Sequence, residues 1–328
     1  MVVRIPNWLG DALMATPVYS SLIALQKEEI FLFGPEPILE LLKYFPEVKL
    51  LPYYRGEKEK NLRVLKKVKD HAGLLLTNSF SSAWLFFKAG LKERWGYATD
   101  LRRCFLTKAI KPPKKKLHQR DYYLYLLEKL GLKTQKKELE LPVGEDVLEK
   151  AEDFLKREGV KEKYVVFCPG AAYGPAKMWF PEYYKVLAKI LVKKGYHVVI
   201  LGVEREKETG ELIKNNLKEV FNFCGKTSLP LACGIIYFSS CVISNDSGLM
   251  HLSACLKVPQ IAIFGSTDPE LTAPLNPRAV VLKSELECSP CFERKCRFGH
   301  YRCLKEITPE LVLKKFEEVV EARKGLPH

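Results

Sequence analysis

The 328-residue chain contains no run of about 18 uninterrupted apolar residues, which excludes a helix of the kind that spans a bilayer. Its opening, Met1-Val-Val-Arg-Ile-Pro-Asn-Trp-Leu-Gly-Asp11, lacks the charged, apolar and small-residue sections of a secretory signal and reads instead as a strand and turn. A cytoplasmic protein is therefore expected, with any membrane contact peripheral. The chain is also short of acids, with 39 Asp and Glu against 53 Lys and Arg and a formal net charge of +14. Such a surplus favours a polyanion: nucleic acid, phosphorylated lipid or nucleotide. Nucleic-acid binding would call for a known module or a basic surface interleaved with aromatics, and neither is found, so no nucleic-acid partner is expected. Basic residues crowd into Lys58 to Lys69, Arg94 to Lys116 and Lys133 to Lys137, all in the first half. That half is expected to face the anionic partner, although a Lys-rich solvated surface reads the same way.

Disorder is excluded as well, because 47% hydrophobic and 28% charged residues are globular proportions. The length exceeds what one core usually supports, so two domains are expected. Short apolar runs alternate with longer amphipathic stretches, the pattern of a parallel α/β fold, and the pattern occurs twice. Strands are predicted near Val2 to Ile5, Glu29 to Phe33 and Gly73 to Thr77, then near Tyr164 to Cys168, His197 to Leu201, Cys241 to Ser244 and Gln260 to Phe264. Helices are predicted near Ala12 to Leu25, Ile38 to Phe45 and Arg120 to Leu130, then near Glu182 to Lys194, Lys207 to Lys214 and Leu249 to Leu256. Pro142 and Gly144 mark a linker, giving domains 1–145 and 146–328. A last helix, about Pro309 to Ala322, is expected to pack back toward the first domain. Two Rossmann-like domains facing across a cleft would bind ligand at the strand carboxyl ends.

Three loops at such ends carry chemistry. Asn245 to His251 follows an apolar strand and opens a helix at Asp246, Ser247, Gly248 and Leu249, where free N–H groups and the helix dipole suit a phosphate. His251 falls on the first turn and is expected to point to the same anion; the plainer reading of Asp246 or Ser247 is a helix cap. Cys168 to Pro181 links a strand to a helix with small residues that allow close backbone approach, and Lys177 supplies a point charge. Its spacing is neither a Walker A loop nor GxGxxG. Asn7-Trp8-Leu9-Gly10-Asp11 follows the first strand. Gly10 permits a tight turn, and Asp11 is either a helix cap or a general base.

Ten cysteines complete the inventory. Cys104, Cys168, Cys224, Cys233, Cys241 and Cys255 read as small core residues. Cys288, Cys291, Cys296 and Cys303 cluster in sequence, with His300 nearby. Zinc ligation, free thiols and a disulfide staple all remain open for them, since the spacing matches no standard finger or ribbon.

In order along the chain, Asn7 to Asp11 through Pro17, Asn78-Ser-Phe-Ser-Ser82 with Gly96-Tyr97 and Arg102-Arg103, Pro169-Gly170-Ala171 with Lys177 and Trp179, Asn245 to His251, Phe264-Gly-Ser-Thr-Asp268-Pro269 and the cysteine run to Cys303 together resemble the ADP-heptose:lipopolysaccharide heptosyltransferases. Among these the type II members are most similar. The resemblance implies a GT-B fold with the acceptor held by the first domain and ADP-heptose by the second. It implies inverting transfer with Asp11 as base, Lys177, Asp246, Ser247, Gly248, Leu249 and His251 around the donor, and Glu206 or Glu208 on the ribose. Asn7, Trp8, Gly10, Asn78 and Ser79 are the expected acceptor-side residues. It implies no cofactor and no metal; the acceptor is the heptosyl-Kdo2-lipid A core at the inner face of the inner membrane, an anionic surface. Type I and related transferases share these motifs, so acceptor choice stays open. The Gly-Pro-Ala-Lys177 loop departs from relatives that carry Ser or Thr before the Lys, which removes one hydroxyl from the phosphate side.

Overall fold

The computed structural model describes residues 1–25 and 29–324, the last three of these by backbone only. The chain divides after Pro142 into two compact units, Met1–Pro142 and Val143–His328. In the first, strands β1 (Val2–Arg4), β2 (Ile30–Gly34), β3 (Val48–Pro52), β4 (Gly73–Leu75), β5 (Arg94–Tyr97) and β6 (Lys108–Ile110) form a parallel sheet in the order β3-β2-β1-β4-β5-β6. The second repeats the plan with β7 (Tyr164–Cys168), β8 (His197–Ile200), β9 (Val220–Asn222), β10 (Cys241–Asn245), β11 (Gln260–Phe264) and β12 (Ala279–Lys283), ordered β12-β11-β10-β7-β8-β9. Both sheets follow the doubly wound order, with strand order reversing between β1 and β4 and between β7 and β10, where ligands of such sheets bind.

Central strands are buried along their whole length, as covered parallel sheets require. Register places Val2 beside both Phe31 and Gly73, and Val242 beside both Val166 and Gln260. Each unit has its own core. One apolar cluster joins Phe31, Phe33, Leu75, Phe86 and Leu91; another joins Phe167, Trp179, Tyr184, Ile243, Ile263 and Phe316. Each such large side chain contributes about 1.5–3 kcal/mol by leaving water.

Several elements differ from the sequence expectation. Strands β3, β6, β9 and β12 are the sheet edges; the half-exposed composition of β3, β6 and β12 and the three-residue length of β9 hide them from a search for apolar runs. The helix expected over Ala12 to Leu25 is two, Leu9–Met14 and Thr16–Ala24, because Pro17 has no N–H and fits only a first turn. The Thr16 hydroxyl donates back to the Leu13 carbonyl at the break. Directly after Gly144, which lies outside any helix or strand, an unforeseen helix Glu145–Arg157 begins, acidic in its first turn and basic in its last. The final helix, Pro309–Lys324, packs on helix Pro181–Lys193 and strands β11 and β12, all in its own unit.

Candidate active site

In the second unit, the loops leaving β7, β10 and β11 converge at the point of strand reversal. Asp246, the first residue after β10, takes the Lys177 ammonium at 2.5 Å and the Thr267 hydroxyl at 2.7 Å on one carboxylate oxygen. The pair is nearly buried, with 13% of the Lys177 and 5% of the Asp246 side chain exposed. Lys177 is thus fixed by a carboxylate, and it also lies 4.9 Å from the centre of the Tyr173 ring. Asn245 ties the loops together. Its amide donates to the Pro169 carbonyl at 2.5 Å, and its oxygen accepts the Trp179 N–H at 3.0 Å and the Tyr184 hydroxyl at 3.3 Å.

Helix Gly248–Cys255 follows at once, with Ser247 as its N-cap residue, but the Ser247 side chain makes no capping bond. The first-turn amides therefore have no side-chain cap, and the capping reading of Ser247 falls away. The buried hydroxyls of Ser247 and Ser266 have no hydrogen-bond partner among the described residues. His251 sits on the first turn and is buried.

The two acids considered for the ribose part company. Glu206 closes a one-turn helix after β8, accepts the Val203 N–H at 2.9 Å and lies against two glycines. A Cβ at Gly170 would stand 2.1 Å from its carboxyl carbon, and one at Gly202 would stand 2.5 Å from its Oε2. The carboxylate can occupy that place only because both positions lack a side chain. Glu208, two residues on, is exposed in helix Lys207–Lys214.

In the first unit the reversal point is framed by the loops after β1 and β4. Asn7 accepts from the buried Arg4 guanidinium at 2.5 Å, Trp8 is exposed, and Trp8 rather than Asp11 occupies the N-cap position of helix Leu9–Met14. Gly10 and Asp11 follow inside the first turn, and Asp11 is partly exposed at its third residue. Its carboxylate is close enough to push the buried Tyr19 and Tyr123 hydroxyls up, although burial is the larger cause for both. Asn78 donates to the Tyr122 hydroxyl at 3.0 Å, and Ser79 caps helix Phe80–Ala89 by accepting the Ser82 N–H. Beneath them Arg102 is fully buried, donating to the carbonyls of Tyr97, Thr77 and Ser79; burial pulls its guanidinium down to about 10.

The cysteine segment braces the Lys177 loop. The Arg294 carbonyl accepts the Ala176 N–H at 3.1 Å, the Phe292 N–H donates to the Ser266 carbonyl, and the Tyr173 hydroxyl donates to the Phe292 carbonyl. All four cysteines are free thiols, and no metal-binding group of three or more His, Cys, Asp or Glu occurs among the described residues. Burial pushes Cys303 up to about 11, reinforced by its three neighbouring thiols. Burial acts the same way on Cys296, but the N–H groups of Tyr301, Phe298, Gly299 and His300 outweigh it and hold this thiol below its ordinary range.

The profile of glycosyltransferase family 9 (heptosyltransferase) matches residues 60–302, about three-quarters of the chain. Lipooligosaccharide heptosyltransferase 2 of Haemophilus influenzae is 31% identical over 344 residues, covering 96% of this chain and 97% of the relative. The chain belongs to glycosyltransferase family 9, the heptosyltransferases. Lipopolysaccharide heptosyltransferase 2 of Escherichia coli is 29% identical, covering 96% of this chain and 97% of that one. The solved structure of E. coli ADP-heptose lps heptosyltransferase II superposes with a TM-score of 0.85 at 29% identity, covering 99% of each chain. Two parallel Rossmann-type sheets are therefore the GT-B-type fold of this family. Within it, Thr267 and Arg102 are residues to which sequence reasoning gave no role. Both stand in stretches that carried the resemblance, but only the folded chain shows Thr267 on Asp246 and Arg102 beneath Asn78 and Ser79.

Proposed function

We propose that this heptosyltransferase moves L-glycero-D-manno-heptose from ADP-heptose to the heptosyl-Kdo2-lipid A inner core of lipopolysaccharide, as a type II enzyme. The Lys177–Asp246–Thr267 constellation at the strand reversal of the second unit carries the reading. It is a buried cation on a fixed carboxylate, beside a helix start whose amides have no side-chain cap and beside two buried hydroxyls without partners among the described residues. Such a place suits a diphosphate, and it accounts for hydroxyls that would otherwise be stranded.

In this mechanism the acceptor hydroxyl attacks the anomeric carbon of the heptose, ADP leaves from the opposite face, and the configuration inverts. Asp11 takes the hydroxyl proton as the bond forms. Negative charge grows on the diphosphate, where Lys177 and the amides at Ser247, Gly248 and Leu249 stabilise it without reorganising. Asp246 acts on Lys177 rather than on phosphate, because its own charge would repel the diphosphate. Glu206 takes the ribose hydroxyls, the usual role of an acid after the second strand of such a unit. Glu208 is too far out on the solvent face for this. Asn7, Trp8, Gly10, Asn78 and Ser79 form the acceptor side. The enzyme works from the cytoplasm, peripherally on the inner membrane, with no metal and no nucleic acid.

The test is transfer from ADP-heptose to heptosyl-Kdo2-lipid A and to Kdo2-lipid A, comparing the natural chain with Asp11→Ala. Product on the heptosylated acceptor alone is expected, with turnover in the variant reduced about 10²–10⁴-fold while ADP binding is kept. Product on Kdo2-lipid A alone would make the chain a type I enzyme, and unchanged turnover in Asp11→Ala would remove Asp11 as the base.

A further inference from the structure

Apolar side chains stand in water along one edge of the first unit, and the backbone is strained to put one of them there. Asp100 and Leu101 are consecutive non-glycine residues in the left-handed region, with φ of 48° and 53°. A β-carbon makes that conformation costly, so something must hold it. The Asp100 carboxylate does so by accepting the Phe80 N–H at 2.6 Å. The result is Leu101 at 92% exposure.

Beside it lie three phenylalanines in mutual contact. Phe105 meets Phe80 with ring centres 5.1 Å apart and Phe87 at 5.3 Å; Phe80 and Phe87 are themselves exposed, Phe87 at 47%. Phe80, Trp84, Phe87 and Lys88 recur at the spacing of one face of helix Phe80–Ala89. The patch starts beside Asn78 and Ser79, at the carboxyl end of β4, and follows this helix away from them.

Cations rim the patch. The Arg94 guanidinium lies 5.4 Å from the Phe87 ring centre and donates to the Phe105 carbonyl at 2.6 Å. Lys88, Lys92 and Arg103 are exposed around it. From Phe80 to Lys116 there are ten Lys and Arg against two acids, Glu93 and Asp100, and Asp100 is engaged by Phe80. Exposed aromatic and aliphatic groups inside a predominantly cationic rim complement a surface that is apolar below and anionic above.

We propose that Leu101, Phe80 and Phe87, seated on the half-buried Phe105 and Arg94, with Lys88, Lys92 and Arg103 around them, form the surface by which the enzyme docks on an anionic phospholipid bilayer. The apolar groups enter the headgroup region while the cations meet lipid phosphates. The proposal deepens the transferase reading and rests on its membrane-borne acceptor, since the patch adjoins the acceptor-side residues Asn78 and Ser79.

Flotation of the full chain with vesicles decides it, using phosphatidylcholine with and without one-third phosphatidylglycerol and no saccharide acceptor present. Binding is expected to the anionic vesicles and to weaken with salt. The double variant Leu101→Asn, Phe87→Gln should lose about tenfold in partitioning, as should Lys88→Glu with Lys92→Glu. Asn suits the left-handed backbone at position 101, so the melting temperature should hold. Transfer to a deacylated, water-soluble acceptor should be unchanged in the double variant. Vesicle binding as strong as that of the natural chain in both variants overturns the proposal. So does a loss of transfer to the soluble acceptor with vesicle binding intact, which would make the patch an acceptor subsite. If the natural chain floats but transfers to no acceptor, the transferase reading fails while the surface stands.

Discussion

At the scale of single residues, the Lys177–Asp246 contact is at once an ion pair and a candidate ligand site, and the two roles are separable. With Lys177 gone, Asp246 keeps the Thr267 hydroxyl but loses its counter-charge in a nearly buried place. Breaking such a pair costs about 3–5 kcal/mol, most of it from the stranded charge. Lys177→Met is therefore expected to lower stability by that order and to weaken ADP binding about 10- to 100-fold, the worth of a charge-assisted contact. Adding Asp246→Asn removes the stranded charge, so chemical denaturation should show stability recovering while calorimetry shows ADP affinity still low. Recovery of both together would mean that the lysine serves the fold alone. The sequence exposed the lysine and the aspartate separately, each at a strand end. Their pairing was hidden because 69 residues separate them and only the β7–β10 adjacency brings them together.

At the scale of elements, Gly170 at the end of β7 and Glu206 after β8 act as one part, since the glycine's missing side chain is the space the carboxylate fills. Gly170→Ala must push Glu206 aside. It is expected to erase the preference for ADP over 2′,3′-dideoxy-ADP, with a stability loss of about 1–3 kcal/mol from overpacking. Glu208→Ala, on the exposed side, should change neither quantity. Competition binding with the two nucleotides measures this, and a preference that persists in Gly170→Ala would remove Glu206 from the ribose. How much of the site was legible follows the same geometry. Central strands such as Tyr164–Cys168 are apolar throughout and were readable as runs, together with the loops they launch. Helix Glu145–Arg157 was not, because its buried positions Val147, Ala151 and Leu155 come only every fourth residue among charges. The choice between Glu206 and Glu208 could not be read at all, since both lie just beyond one strand and differ only in which way a one-turn helix aims them.

At the scale of the molecule, the two units differ in charge as well as in content. Residues 1–142 hold 26 Lys and Arg against 15 Asp and Glu, whereas residues 143–328 hold 27 against 24, so most of the net positive charge lies in the first unit. On the proposed function, the first-unit surplus would serve an anionic acceptor surface. On the same reading the nearly neutral second unit would hold the diphosphate by local placement, and the proposed residues Gly170, Lys177, Glu206, Asp246, Ser247 and Thr267 all fall inside it. Its sheet is complete with six strands, its large apolar cluster draws on residues between 165 and 320, and the helix Pro309–Lys324 closes on that same unit. A chain of residues 143–328 is therefore expected to fold alone and to bind ADP within about tenfold of the full chain, a difference of about 1.4 kcal/mol. Calorimetric titration with ADP, alongside circular dichroism for folding, measures both. A folded second unit that does not bind ADP would show that the donor site needs residues of the first, and Lys177 would then be only part of it.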